Sequence, residues 1–174
     1  MKPPTAKPDD RKAAIRLAPE MPGPALEIIA HSERPIRPQD AVDLFREEGW
    51  WPNRTAAIAA AMLENSLAVG AWHGSQLVAF ARAVTDGVGR AYIEDVVVAH
   101  TYRRTGIGAQ LVEVLMASLS HIPTVSLFCS AEHVGFYQLN GFQRTRQVVM
   151  HREIEPSAGD GAPAQTVVRE PHGA

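Results

Sequence analysis

The chain has a single cysteine, Cys129, among its 174 residues. That excludes an internal disulfide framework and a cysteine-rich zinc site. It also lacks a basic excess: 17 Lys+Arg stand against 19 Asp+Glu, a formal net charge of −2. A general nucleic-acid binder would carry a strong positive balance, so no nucleic-acid partner is expected. No apolar run approaches the roughly 20 residues that cross a bilayer, so no membrane partner is expected either. The N-terminal MKPPTAKPDDRKAAIRL has prolines and acids where a secretory leader needs an apolar stretch. A cytoplasmic location is the resulting expectation. Aromatics are scarce, at 6%, yet Trp50 and Trp51 are adjacent.

What is present is a globular composition, 45% hydrophobic and 21% charged, at a length suited to one domain. Both ends are Pro-rich and hold too little apolar surface to offset ordering entropy. Residues 1–24 and 156–174 are therefore expected to be disordered tails around a folded domain at 25–155. Residues 26–31 read as a strand. Pro38 can sit in the first turn of a helix with Val42, Leu44 and Phe45 on its apolar side. Asn53 or Thr55 can cap a second helix running to Leu63, with Ile58, Met62 and Leu63 inward. Residues 67–73 and 76–85 read as a hairpin about Gly74-Ser75. After the turn Asp86-Gly87-Val88-Gly89, residues 90–98 read as the next strand.

Leu111, Val112, Leu115 and Leu119 then fall at helical spacing within 106–120. Residues 124–129 read as a strand and 133–140 as a short helix stopped by Gly141. Residues 143–152 read as a last strand. The order β-α-α-β-β-β-α-β-α-β predicts an α/β fold, one mixed and mostly antiparallel sheet flanked by helices.

The most informative stretch is Val96-Val97-Val98-Ala99-His100-Thr101-Tyr102-Arg103-Arg104-Thr105-Gly106-Ile107-Gly108-Ala109. A strand runs through a turn into an amphipathic helix. Gly106 and Gly108 remove side chains where a ligand could approach the backbone. The helix start offers unpaired N–H groups and a positive dipole end, and Arg103 and Arg104 add charge. Such a turn fits a pyrophosphate cradle, though glycines also serve a plain sharp turn. The nucleotide P-loop is excluded because Ala109-Gln110 follows Gly108, and the dinucleotide fingerprint because position 111 is Leu.

Arg103-Arg104-Thr105-Gly106-Ile107-Gly108 resembles the R/Q-x-x-G-x-G/A motif of the GNAT superfamily of N-acetyltransferases. The strand Tyr92-Ile93-Glu94-Asp95-Val96-Val97-Val98 and the segment Phe136-Tyr137-Gln138-Leu139-Asn140-Gly141-Phe142 are similar to that family's fourth strand and its F-Y-x-x-x-G-F segment. The resemblance covers about residues 26–152 and is strongest over 90–142. It implies that acetyl-CoA lies in a V-shaped gap between the strand ending at Val98 and the strand at 125–129. The backbone of Val96 and Val98 would hold the pantetheine arm. The amides of Arg104, Thr105, Gly106, Ile107, Gly108 and Ala109 would hold the pyrophosphate, with Arg103 beside them. A backbone N–H of Val96 or Val97 would polarise the thioester carbonyl.

Acetyl transfer to an amine requires deprotonation of the amine, stabilisation of an oxyanion and a proton for the departing thiolate. Tyr137, by its match to the family tyrosine, is implied as the acid; read alone, it fits a packed helix tyrosine better. Glu94 is implied as the base, directly or through water, against the alternative of a carboxylate at the sheet rim. Glu94 and Asp95 are sequence neighbours on a strand, so their side chains are expected on opposite faces unless a bulge intervenes. Asp95 is then a group that orients its neighbours or binds a cationic amine. Trp50, Trp51 and Tyr92 are candidate walls of the acceptor pocket, with a tryptophan anchoring the loop as the alternative. Cys129 is expected to be a small buried residue and Arg82 a solvated one. His100 and His133 lack metal-ligand spacing, so no metal is expected.

The resemblance thus implies an enzyme that transfers acetyl from acetyl-CoA to a primary amine of a small, cationic acceptor. Two alternatives stay open: a peptide or protein amine, and a non-catalytic acyl-CoA sensor. Many relatives pair as dimers, which makes a homodimer an expectation.

Overall fold

A computed structural model of the chain describes residues 25–152. The expected tails, and the last three residues of the expected domain, lie outside them. Five strands form one sheet in the order β1-β2-β3-β4-β5: β1 Leu26–Ala30, β2 Leu67–His73, β3 Gln76–Thr85, β4 Arg90–Val98 and β5 Thr124–Leu127. The first four are antiparallel, and β5 joins β4 in parallel. Four helices flank the sheet: α1 Pro38–Glu47, α2 Ala56–Glu64, α3 Ile107–Ser118 and α4 Val134–Leu139.

Local chemistry sets these boundaries. Pro38 opens α1, where a missing N–H costs nothing. Thr55, not Asn53, caps α2 by accepting from the Ile58 amide at 3.3 Å. Asp86 holds the β3–β4 turn, its Oδ1 accepting from the amides of Val88, Gly89 and Arg90 at 2.8–3.0 Å.

Each sheet face carries its own core. On one, Ala71, Ala79, Ala81, Ala83 and Ala91 present small side chains to Ile107, Leu111, Leu115 and Leu119, so α3 seats close to the sheet. On the other, Phe45, Leu44 and Leu63 of the α1–α2 pair cover Trp72, Phe80 and Val97. Trp72 lies across Gly70, where a Cβ would run into its indole ring.

Two expectations fail. Ile58 faces outward, at 38% exposure, and Ala59 with Leu63 makes the buried side of α2. The strand expected at 143–152 does not form, which leaves five strands instead of six. A short apolar run, Val148-Val149-Met150, is present there, but a strand also needs a ladder to bond its backbone. β5 stops at Leu127, two residues short of the expected end, and Val148 and Met150 stand more than 80% exposed.

Candidate active site

The β4–β5 ladder ends at Ile93–Leu127, and the two segments then diverge. The Ala99 amide donates to the Val78 carbonyl at 2.9 Å. Strand alternation therefore turns the backbone of Val97 toward β3 and that of Val96 and Val98 toward the gap. Of the three valines singled out from sequence, Val96 and Val98 turn main-chain groups that way, the Val98 carbonyl already accepting from Arg103, and Val97 does not.

At the far end of β4 a single 3₁₀ turn, His100–Tyr102, leads into the loop before α3. Arg104 (φ +62°) and Gly106 (φ +91°) both adopt left-handed backbone, and Gly106 caps α3 without a side chain. The first α-helical bond runs from the Gln110 amide to the Gly106 carbonyl at 3.2 Å. The amides of Ile107, Gly108 and Ala109 are therefore the open donors of the helix start. Thr105 is exposed, and its hydroxyl donates back to the Tyr102 carbonyl at 2.6 Å. A Cβ on Gly108 would meet the Phe136 ring at 3.5 Å and a Val98 methyl at 3.7 Å. Those are ordinary contact distances, so a methyl would fit there between α3 and α4. The two neighbouring arginines differ. Arg103 is ion-paired with Glu48 and donates from Nε to the Val98 carbonyl at 3.2 Å. Arg104 makes no side-chain hydrogen bond or ion pair among the described residues.

Tyr137 lies on α4, its ring edge-on to those of Phe136 and Phe142 at 4.9 and 5.9 Å. Burial, with a smaller push from the Cys129 thiol, raises its hydroxyl to about 12. Its proton is therefore held at neutral pH, which suits a donor and not a base. Cys129 is exposed, contrary to expectation, and shares with Tyr137 the wall of a cavity of about 1300 Å³ between β5 and residues 142–150.

The bulge left open by the sequence is present. Arg82 pairs with Asp95 and Ala83 with Ile93, so Glu94 is the extra residue of β4. The expected opposition of Glu94 and Asp95 is thereby lost, because both lie on the side of Arg82. Arg82 Nε donates to Asp95 Oδ2 at 2.6 Å, and Arg82 Nη2 lies 4.0 Å from Glu94 Oε1. Arg82 is 6% exposed and Asp95 2%, so one is not solvated and the other does not reach an acceptor. Glu94 remains open, its side chain one-third exposed.

A residue the sequence reading missed completes this cluster. Arg54 Nη1 stands 3.5 Å from Asp95 Oδ2, and its guanidinium lies 4.6 Å from the centres of both the Phe45 and Trp51 rings. Burial lowers its pKa, and Asp95 opposes that shift. The only available signal was its place just after the Trp-Trp pair. Trp50 and Trp51 are each about 40% exposed, so neither anchors the loop by burial; Trp50 stacks on Phe45 at 6.5 Å, and Trp51 takes a left-handed backbone. Tyr92 is pushed up to about 12 by burial and by the charge of Glu94, and its ring lies 4.8 Å from Phe128. Glu94 thus opens beside the Tyr92 ring. Among the described residues no three His, Cys, Asp or Glu side chains gather as a metal site, and no helix is long and apolar enough to cross a membrane.

The profile of the acetyltransferase (GNAT) family matches residues 26–142. The GCN5-related N-acetyltransferase 2, chloroplastic, of Arabidopsis thaliana is 33% identical over 140 residues, which cover 67% of this chain and 54% of that protein. The histone acetyltransferase TAP1 of Glycine max is 35% identical over 107 residues, covering 53% and 46%. The chain thus spans about half the length of these curated relatives. A GNAT family acetyltransferase structure from Streptococcus pneumoniae superimposes with a TM-score of 0.61 at 25% identity, over 74% of this chain and all of that one.

Proposed function

Since the chain belongs to the acetyltransferase (GNAT) family, we propose that it transfers acetyl from acetyl-CoA to a primary amine of a small, cationic acceptor. The observation that carries this reading is the gap beyond Ile93–Leu127. It is edged by the main chain of Val96 and Val98 and continues to the open amides of α3. Acetyl-CoA fits that set of groups. The pantetheine arm would bond to the Val96–Val98 edge as an added strand does. The diphosphate would meet the amides of Ile107, Gly108 and Ala109 and the unpaired Arg104.

In this reading the acceptor amine gives a proton to Glu94, directly or through water, and attacks the thioester carbonyl. The Val96 amide stabilises the oxyanion. A C–N bond forms, the C–S bond breaks, and Tyr137 supplies the proton to the departing sulfur; the second nitrogen proton restores the Tyr137 hydroxyl, and Glu94 releases its own proton to water. Glu94, open beside Tyr92, attracts a cationic amine, and the rings of Tyr92, Trp50 and Trp51 accept its apolar part.

The test is an acetylation screen of purified protein against small amines and peptides, with mass detection of product. Acetylated small amines support the proposal. Product from peptides alone favours a protein amine, the second reading, to which the name of the soybean relative lends support. Tight acetyl-CoA binding with no product from any amine would make the chain an acyl-CoA sensor.

A further inference from the structure

Arg103 is the first residue of the loop that the proposed function assigns to the diphosphate, yet its side chain is already committed. We propose that Arg103 is a positioning residue: it straps the C-terminal end of α1, and with it the Trp50–Trp51 loop, to the end of β4, and it leaves the diphosphate to Arg104.

Three observations carry this. First, Arg103 makes two directed contacts, one to the end of α1 and one to the end of β4. Nη2 pairs with Glu48, and Nε donates to the Val98 carbonyl. Glu48 is the C-cap of α1; its side chain is 6% exposed, and its Oε1 is buried with no hydrogen-bond partner among the described residues. To reach a diphosphate, Arg103 would have to abandon a carboxylate that water does not reach, and an unpaired buried charge is strongly unfavourable. Second, Glu48 leads directly into the acceptor side. Two residues on, the Trp50 amide donates to the Phe45 carbonyl at 2.7 Å, and its ring stacks on Phe45. The other end of this loop is held by Arg54, stacked on Phe45 and Trp51 and reaching Asp95. The loop is therefore fastened to β4 twice, at the bulge through Arg54 and at the strand end through Arg103. Third, Arg104 is exposed and left-handed, and it lacks a partner among the described residues, so a cation remains free at the loop.

This inference rests on the acetyl-transfer reading only for its kinetic arm. The full chain and the variants Arg103→Gln, Glu48→Gln and Arg104→Gln are compared by three measurements: calorimetric affinity for CoA, acrylamide quenching of tryptophan fluorescence, and acceptor KM. Trp72 is buried, so quenching reports on Trp50 and Trp51. Glu48→Gln and Arg103→Gln are expected to keep CoA affinity within about twofold, to raise quenching and to raise acceptor KM several-fold. Arg104→Gln is expected to weaken CoA by about tenfold, the worth of one hydrogen bond to a charged group, and to leave quenching unchanged.

Arg103→Gln weakening CoA tenfold while Glu48→Gln does not would make Arg103 a diphosphate ligand and overturn the proposal. No change in quenching or KM for either variant would overturn it as well. If Arg103→Gln does not fold, Glu48→Gln, which removes the charge and keeps an acceptor oxygen, decides alone. If the parent acetylates no amine, the acetyl-transfer reading fails, while calorimetry and quenching still judge the strap.

Discussion

Tyr137 shows how one side chain's surroundings set its task. Its hydroxyl, raised to about 12 by burial and by the Cys129 thiol, stays protonated throughout the working range of an enzyme. Tyr137→Phe is expected to lower kcat about a hundredfold, a usual loss for general acid catalysis, and to leave the acetyl-CoA KM nearly unchanged. For the parent, kcat should show no alkaline fall from this group below about 12. Steady-state rates across pH check both points. A fall centred near the ordinary tyrosine value of about 10 would place the acid elsewhere. Asp86 is shifted in the opposite sense: amides of Arg90, Val88 and Gly89 hold it down to about 2 from 3.8. A depressed carboxylate contributes stability above its unfolded-state value, and that contribution disappears as pH falls through the folded one. Asp86→Asn should therefore flatten the change in urea midpoint between about pH 4 and pH 2, with little effect on the fold at neutral pH.

At the scale of elements, α3 was legible and the β4 bulge was not. Leu111, Val112, Leu115 and Leu119 recur at the period of a helix, and all four are buried as that period requires. Glu94 and Asp95 carry no such signature. Strand alternation puts them on opposite faces, and only the skipped partner opposite Arg82–Ala83 brings them together. Arg54, Arg82 and Asp95 come from a loop and two strands, and no spacing in the chain announces their meeting. Residues 143–152 err in the other direction: Val148-Val149-Met150 has the composition of a strand, but a strand is a property of a pair of segments, and β5 provides no ladder there. Close packing within β2 gives the element's own test. Gly70→Ala would drive a methyl into the Trp72 ring. The expected cost is about 1–3 kcal/mol, read as a lowered urea midpoint with an unchanged slope.

For the molecule as a whole, the sheet is a divider with two unlike sides. α3 and its alanine-lined face carry the proposed diphosphate end, and the α1–α2 face carries the acceptor loop. The turn proposed to hold the diphosphate was legible as a strand–turn–helix because its glycines, arginines and following helix are contiguous in sequence. The acceptor side was legible only as Trp50, Trp51, Tyr92 and Glu94, without the arginines that hold it. Leu111, with no exposure at all, ties α3 to the sheet centre. Leu111→Ala should cost about 2–5 kcal/mol, a large share of a domain stability of about 5–15 kcal/mol, and lower the thermal midpoint accordingly. Differential scanning calorimetry checks it; a change under about 1 kcal/mol would mean that neighbours collapse into the space.

The exposed thiol of Cys129 is the sole sulfhydryl in the sequence, and it borders the cavity next to Tyr137. A maleimide dye will therefore attach at one position without any engineering. The attached reporter sits beside the proposed reaction centre, where its emission can register the arrival of a substrate.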